Sequence, residues 1–240
     1  MAAQQPPAEE PDMGERIRIR FSKTGKAKYI SHLDLMATLR RALLRSGVRL
    51  GYSEGFNPHP YISAALPLQV GCGSICELID FETADGAAGS ITSLPDRMNE
   101  SLPDGIEVLE AYNAGRKFKD ITWLEVYGEL YYGSSAPEDI ETELEAVFTS
   151  QSIVISKKTK RGLADVDIAP FVHDVKTGDN GSKDDFGSIV CISAIISAQN
   201  PTITPGDLLS AISAKDSSIA PRYALFTRTQ VYDIEMSAFR

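Results

Sequence analysis

The predicted strands and helices of this chain follow one order that occurs twice, and this repeat constrains the fold more than any single motif. The first strand spans residues 15–21, where Ile17, Ile19 and Phe21 alternate with polar positions and predict one buried side. A helix, a hairpin, a second helix and a strand follow at residues 31–46, 61–81, 86–102 and 106–112. The order β-α-β-β-α-β is typical of the ferredoxin-like arrangement.

The second half shows the same order, with strands and helices predicted at residues 123–131, 137–148, 153–158, 165–172, 188–197, 204–212 and 223–234. Residues 176–187, rich in Gly, Asp, Asn and Ser, predict a flexible insertion. The sequence therefore predicts an α+β fold of two tandem ferredoxin-like domains, residues 14–114 and 121–240, with a linker at residues 115–120. Residues 1–13, rich in Pro, Ala, Gln and Glu, predict a disordered tail.

The ends of the first helix are marked by Ser31, Asp34 and Gly47. Ser31 is a good N-cap, Asp34 suits the positive end of the helix dipole, and Gly47 supplies the positive φ that is wanted after the last turn. The apolar stripe of this helix is predicted to consist of Leu33, Met36, Leu39, Leu43 and Leu44. Arg40 and Arg41 lie off this stripe or at its edge, where they can contact an anionic partner.

Residues 52–60, with the sequence YSEGFNPHP, predict a stiff loop. Each proline fixes its own φ, and the residues before the prolines are driven toward extended conformations. Such a loop has already lost much of the entropy that binding would remove. We therefore expect Tyr52, Phe56, Asn57 and His59 to act in recognition; a loop that packs into the interior is the alternative.

The distribution of charge points to an anionic partner at one end of the chain. The formal net charge of −9 argues against a protein that coats nucleic acid along its whole surface. Residues 14–60, however, hold ten basic and three acidic side chains, a net charge of +7, so the remainder carries −16. Such asymmetry indicates an electrostatic docking surface, although an ordinary solvated face is the alternative.

Three arginines alternate with the apolar residues of the first strand. If the apolar residues pack on helices, then Arg16, Arg18 and Arg20 project from the opposite, open face of the sheet. Arginines beside aromatic side chains that stack on bases resemble the surfaces with which small α/β modules bind single-stranded RNA. In the alternative, these arginines pair with acids such as Asp80 and Glu82, and the open faces pack on each other or on a protein partner.

One further arginine, Arg228, lies within the alternating pattern of the last predicted strand. This partly buried setting makes it a candidate for contact with RNA phosphates, and an ion pair with Asp167 is the alternative.

An enzymatic function has weaker support. His32 and His59 are candidate acid–base residues because the pKa of histidine lies near neutrality. The chain has only three histidines, whereas metal sites usually need three or four ligands, so no metal site and no cofactor are predicted. A metal-independent endoribonuclease with tandem domains of this kind remains the enzymatic alternative.

The cellular location is expected to be the cytoplasm. The beginning of the chain lacks the apolar core of a secretory signal, and no run approaches the ~18 apolar residues of a membrane span, so no membrane partner is predicted. Three cysteines form no disulfide framework, which fits a reducing compartment.

The runs YISHLDL, RRALLRSG and YSEGFNPHP, with DVDIAPF and RTQVY later in the chain, resemble the motifs of the radical SAM-linked protein family, a domain of unknown function. Members of that family are fused to, or encoded beside, radical SAM proteins with a cobalamin-type domain. The resemblance implies such a protein as partner. The chain departs from the family pattern at Ala169 and Thr204, where arginine is common before the prolines, and this implies weaker ligand binding by the second half.

These observations together predict an accessory binding module that presents RNA to a radical SAM enzyme for modification or processing. A protein–protein adaptor that docks on the same partner without nucleic acid is the alternative from a different class.

Overall fold

A computed structural model describes residues 16–84, 89–133, 136–159, 162–184 and 187–240. The described part is a mixed α/β structure with one large, mostly antiparallel sheet and four α-helices. The strands are β1 Arg16–Lys23, β2 Ile62–Ala64, β3 Gly73–Glu82, β4 Ile106–Asn113, β5 Trp123–Tyr131, β6 Val154–Thr159, β7 Gly162–Asp167, β8 Val172–Asp184, β9 Gly187–Ser197 and β10 Tyr223–Tyr232. The helices are α1 His32–Arg45, α2 Leu94–Asn99, α3 Ile140–Phe148 and α4 Pro205–Lys215.

Both halves of the chain contribute to the same sheet. Its strand order is β4-β1-β3-β10-β5-β9-β8, and the short strand β2 also pairs with β3. All pairings within each half are antiparallel, whereas β10 runs parallel to β3 and pairs with it at Gly73 and Ser74. Because β2 occupies only the later part of β3, the start of β3 is left for β10, and the two halves are joined edge to edge.

Helix α1 confirms the predicted ends but corrects the predicted apolar stripe. The Ser31 hydroxyl accepts a hydrogen bond from the Asp34 amide at 3.1 Å, and Gly47 has a φ of +84°. Leu33 is 79% exposed and Leu44 is 47% exposed, so neither belongs to the core. The buried positions are Leu35, Leu39, Ala42 and Leu43. The stripe thus passes through Leu35, and Leu33 lies two positions, or about 200°, around the helix from it.

Two clusters of buried side chains support the two halves. The cluster of the first half includes Ile17, Ile19 and Phe21, each at most 1% exposed, which confirms the predicted buried side of β1. The cluster of the second half joins α3 and α4 to β5, β9 and β10. The side chains of β1 that alternate with the apolar ones therefore point to the sheet face away from α1 and α2.

Several predicted elements differ in extent or pairing. The second helix is limited to residues 94–99, and part of the range predicted for it, residues 86–88, lies outside the described residues, as does the predicted tail 1–13. Strand β6 pairs with β7 in a separate two-stranded sheet. Most of the predicted insertion at 176–187 belongs to β8 and β9, which pair as a hairpin. Across the part of the chain that the structure describes, no helix combines the length and apolarity needed to span a membrane.

Candidate functional site

The loop at residues 52–60 is an ordered hairpin. Tyr52 and Pro60 form a β-bridge, and the Ser53 amide donates to the His59 carbonyl at 2.9 Å. The His59 amide in turn donates to the Ser53 hydroxyl at 2.9 Å, and the chain turns through Gly55, whose φ is +117°. The base of the loop is tied to the end of β3, because the Gly51 amide donates to the Glu82 carbonyl. Hydrogen bonds between Ser53 and His59 therefore close the loop, and the Gly51–Glu82 bond ties its base to β3.

The predicted recognition residues of this loop all face solvent. Phe56 is fully exposed and Tyr52 is 47% exposed, and Asn57 and His59 are exposed as well. The alternative of a loop that packs into the interior is therefore wrong. A fully exposed phenylalanine on an ordered loop has no packing role within the described chain, which leaves its ring available to a partner.

Helix α1 leads into this loop and carries exposed cations. Arg40 and Arg41 are both exposed, and Arg41 donates only a long 3.3 Å hydrogen bond to Thr38 on the same helix. His32 is the first residue of α1 and is partly buried, whereas His59 closes the hairpin. The described residues contain no group of three or more His, Cys, Asp or Glu side chains placed to hold a metal ion.

The sheet face that carries the three arginines of β1 is not open, which corrects the prediction. Arg18 is completely buried. Its Nε and Nη2 donate to the two carboxylate oxygens of Asp80 at 2.6 and 2.9 Å, and Nη2 also donates to the Arg116 carbonyl at 2.7 Å. The alternative in which these arginines pair with acids is confirmed for Asp80, because Arg16 also lies 3.4 Å from that carboxylate.

The face that carries these arginines is covered by residues 233–240 and by the segment between the two halves. The Phe239 ring is 3% exposed, and the Phe239 amide donates to the Val231 carbonyl at 2.8 Å. The Arg18 guanidinium lies over the rings of Phe118 and Phe239, at 4.4 and 5.1 Å from their centroids. Arg116 also lies over the Phe239 ring, at 4.4 Å from its centroid. A buried guanidinium needs both a counter-charge and a polarisable surface, and these contacts provide them.

The other two arginines of β1 are also engaged. Arg20 lies 3.4 Å from Glu110 and donates to the Ile75 carbonyl at 3.3 Å. The side chains of Arg16 and Arg20 are 30% and 29% exposed, respectively. Arg240 also pairs with Glu110, which fastens the end of the covering segment to β4. This face is therefore an internal ion-pair network.

Arg228 lies in the wall of a cavity of about 280 Å³ between the two halves. The side chain is 9% exposed, and Nη1 donates to Glu77 at 2.8 Å. The alternative ion pair with Asp167 is wrong, because that carboxylate caps the amides of Ile153 and Ala169 at 2.8 and 3.0 Å. Arg228 thus joins β10 to β3 across the junction of the halves.

No pattern in the sequence predicted this cavity. One wall is residues 65–72 of the first half, which Arg228 holds through the carbonyls of Leu66 and Pro67 at 3.5 and 3.4 Å. The other walls come from β5, β9, β10 and residues 199–205. These residues include Thr204, one of the two positions where the sequence departs from the motif of the family that it resembles. Only the tertiary structure brings these distant segments together.

Burial changes the acidity of two groups beside the cavity. Burial raises the pKa of the Cys72 thiol, while the positive charges of Arg228, Lys23 and Lys28 act in the opposite direction. Lys23 is 1% exposed, and burial lowers its pKa, partly offset by the negative charge of Glu77. Its ammonium group donates to the carbonyls of Lys28 and Ile30 at 3.3 and 3.1 Å. Cations therefore gather at this end of the cavity.

Comparison with known proteins adds a family but no activity. A search of curated proteins finds no match. A family model described as an uncharacterized protein conserved in bacteria matches residues 16–205, which include β1, helix α1, the exposed loop and most of the cavity walls. Because that match covers more than half of the chain, this protein belongs to the DUF2344 family.

Proposed function

We propose that this protein is an accessory RNA-binding module that acts with a radical SAM enzyme, and that residues 52–60 together with helix α1 form its recognition surface. The observation that carries the proposal is the fully exposed Phe56 ring on a hairpin held by backbone hydrogen bonds. Because the loop is ordered before it binds, little further entropy is lost when a partner stacks on it.

The chemistry of this surface suits single-stranded RNA. Phe56 and Tyr52 offer rings on which unpaired bases stack, and Arg40 and Arg41 offer charge to phosphates. The side chains of Asn57 and His59 provide donors and acceptors for base edges. Phosphate contacts would supply affinity, and stacking with base-edge contacts would supply selectivity.

The proposed partner and compartment rest on the sequence. The motifs YISHLDL and YSEGFNPHP resemble those of the radical SAM-linked family, whose members are fused to or encoded beside radical SAM proteins. Three free cysteines support a reducing cytoplasm. We also propose that each half is a ferredoxin-like unit. Within the large sheet, both halves follow the order strand, helix, two strands, helix, strand, with strand orders β4-β1-β3-β2 and β10-β5-β9-β8, while β6 and β7 form an additional hairpin in the second half.

The test is retention of RNA by the purified protein at low salt. Phe56→Ala is expected to weaken binding at least five-fold, because one base–aromatic stack contributes roughly 1–3 kcal/mol. Arg40→Glu with Arg41→Glu is expected to weaken binding more strongly than Phe56→Ala and to flatten the dependence of log K on log salt by about two. Lys119→Glu with Lys176→Glu makes the same charge change at exposed positions elsewhere and is the matched control.

A protein–protein adaptor is the second candidate, and two observations favour it. Arg18, the central arginine of the face expected to bind RNA, is buried in an ion pair, and Leu33 is exposed by 79%. If the wild-type protein retains no RNA at low salt but captures the radical SAM protein, and Phe56→Ala or Leu33→Ser abolishes that capture, the adaptor function replaces RNA binding.

A further inference from the structure

The cavity between the halves is a built site that the proposed RNA surface does not use. Its volume of about 280 Å³ lies near the lower end of the range for small-molecule pockets. It is bounded by the loop at residues 65–72, by the three central strands of the second half and by the start of α4. None of its lining residues belongs to the exposed hairpin at residues 52–60.

The lining of the cavity has an apolar and a polar part. Leu66, Leu68, Val126, Ile196 and Phe226 supply a surface that suits a hydrocarbon or aromatic body. Arg228, Gln69, Cys72 and Thr204 supply polar groups. A ligand that satisfies both parts must itself combine an apolar body with a polar group.

The charges around the polar part favour an anion. The positive charges of Arg228, Lys23 and Lys28 act on the Cys72 thiol, and among the described residues the negative charge of Glu77 acts on it as well. Glu77 pairs with Arg228 at 2.8 Å, whereas Lys23 donates to two backbone carbonyls and forms no ion pair with another described residue. Arg228 and Lys23 are 9% and 1% exposed, so water does little to stabilise their charges. Buried charge of one sign is costly unless a counter-charge accompanies it.

We propose that the cavity binds a small amphipathic anion, an apolar body with one carboxylate or phosphate group, and that the acidic group lies at the Arg228 end. The bound anion completes the charge balance that Glu77 begins. This site is independent of the RNA-binding proposal, because none of the residues that carry it belongs to the hairpin or to the exposed face of α1.

The size of the cavity selects the probes. One water molecule, with a single non-hydrogen atom, occupies about 30 Å³ in the liquid. By this measure the cavity accepts a ligand with on the order of ten non-hydrogen atoms. Octanoate meets this requirement, 1-octanol is its uncharged counterpart, and octyl phosphate carries the other acidic group. Inorganic phosphate tests the acidic group without the apolar body.

Isothermal titration calorimetry on the full chain measures the four affinities. Octanoate or octyl phosphate is expected to bind with a one-to-one stoichiometry and at least ten-fold more tightly than 1-octanol or inorganic phosphate. The tighter of the two anions identifies the acidic group that the cavity prefers. If neither octanoate nor octyl phosphate binds more tightly than 1-octanol, or if neither anion shows saturable binding, the proposal is overturned.

Two matched substitutions at the mouth of the cavity isolate the charge. Gln69 is exposed, so Gln69→Glu and Gln69→Lys change the local charge without repacking the core. The first is expected to weaken anion binding at least three-fold and the second to strengthen it, with 1-octanol affected by neither. Leu68→Trp is expected to fill the cavity and weaken every bound probe at least ten-fold. Anion binding that none of the three variants alters would place the ligand elsewhere and refute the assignment.

Failure of this site is distinguishable from failure of the proposed function. The Gln69 variants are expected to retain RNA as the wild type does, and Phe56→Ala is expected to bind octanoate as the wild type does. RNA retention therefore reports on the hairpin surface alone, and calorimetry with octanoate reports on the cavity alone.

Discussion

The two halves of the sheet present contrasting surfaces on the side away from the helices. On the first half, Arg18 and its neighbours lie beneath residues 233–240 and the segment around Arg116. On the second half, the corresponding face of β5 and β10 keeps Tyr127 38% exposed and Tyr223 45% exposed. The same order of strands thus yields one covered face and one face that the described chain leaves accessible.

The difference follows from how each face satisfies its charged groups. On the second half, Glu129 accepts a hydrogen bond from the Tyr131 hydroxyl, and Glu125 accepts one from the Tyr232 hydroxyl, each at 3.1 Å. These carboxylates find their partners on the same face and remain partly solvated. Arg18 lies at the centre of its face, where a carboxylate, a carbonyl and two aromatic rings are needed to replace water. A fully buried arginine therefore demands a cover that a partly solvated glutamate does not.

The largest expected effect comes from removing the counter-charge of the covered face. Asp80→Ala leaves the buried Arg18 guanidinium without its carboxylate and is expected to lower the free energy of unfolding by about 3–5 kcal/mol. Urea denaturation measures this loss. Glu129→Ala on the accessible face is the matched control, and we expect it to cost under about 1 kcal/mol, since surface substitutions rarely cost more. Equal losses at the two positions would contradict the contrast between the faces.

A smaller loss is expected from truncating the ring that covers Arg18. Phe239→Ala removes a 3% exposed side chain and its contacts with two guanidinium groups, which is expected to cost about 3 kcal/mol. Tyr127→Ala, which truncates an aromatic residue on the accessible face, is expected to cost under about 1 kcal/mol. Thermal unfolding of both variants at one pH gives the comparison. If Phe239→Ala is as mild as Tyr127→Ala, the covering segment contributes nothing to the fold.

The smallest expected effect is release of the covering segment by acid. Hydrogen bonds from the Ser237 amide and from Arg116 hold the pKa of Asp233 below its usual value of 3.8. A lowered folded-state pKa stabilises the segment at any pH above 3.8, and this stabilisation is lost as the pH falls through the folded-state value. The ring resonances of Phe239 are therefore expected to shift below pH 3.8.

Two controls separate this release from global unfolding. The ring resonances of Tyr127, on the accessible face, are expected to stay unchanged while those of Phe239 move. Asp233→Asn is expected to abolish the transition, because the amide does not titrate in this range. If the ring resonances of Tyr127 and Phe239 shift together in the wild type, the segment is not released separately from global unfolding.

Local features of the sequence predicted much of the secondary structure. Alternation in residues 15–21 identified β1 and its buried side, and Ser31 and Gly47 identified the ends of α1. These features succeed because a strand's period and a helix's caps involve residues only a few positions apart. The irregular backbone of the loop at 52–60 was predicted for a related reason, since its prolines limit the backbone locally, whereas the choice between an exposed and a packed loop was left open.

Features that depend on distant residues were predicted poorly. The position of Leu33 on α1 is compatible with the core by spacing alone, yet the packing of α1 on the sheet places this side chain in solvent. The sequence likewise placed β6 in the order of the main sheet, whereas β6 and β7 form their own sheet. Spacing along one element identifies a possible face, and the neighbouring elements select which face is buried.

The sequence by itself determined that this chain is an α+β protein with an irregular, proline-containing loop of aromatic and polar residues after its first helix. The tertiary structure alone decided that the arginines of β1 form an internal network and that Arg228 borders a cavity. The physical reason is that these arginines bind groups far away in the sequence. Arg18 donates to the Arg116 carbonyl, 98 positions away, and Arg228 donates to Glu77, 151 positions away. No pattern in a single segment encodes a partner so far along the chain, because the energy of a buried charge depends on whatever the fold brings beside it.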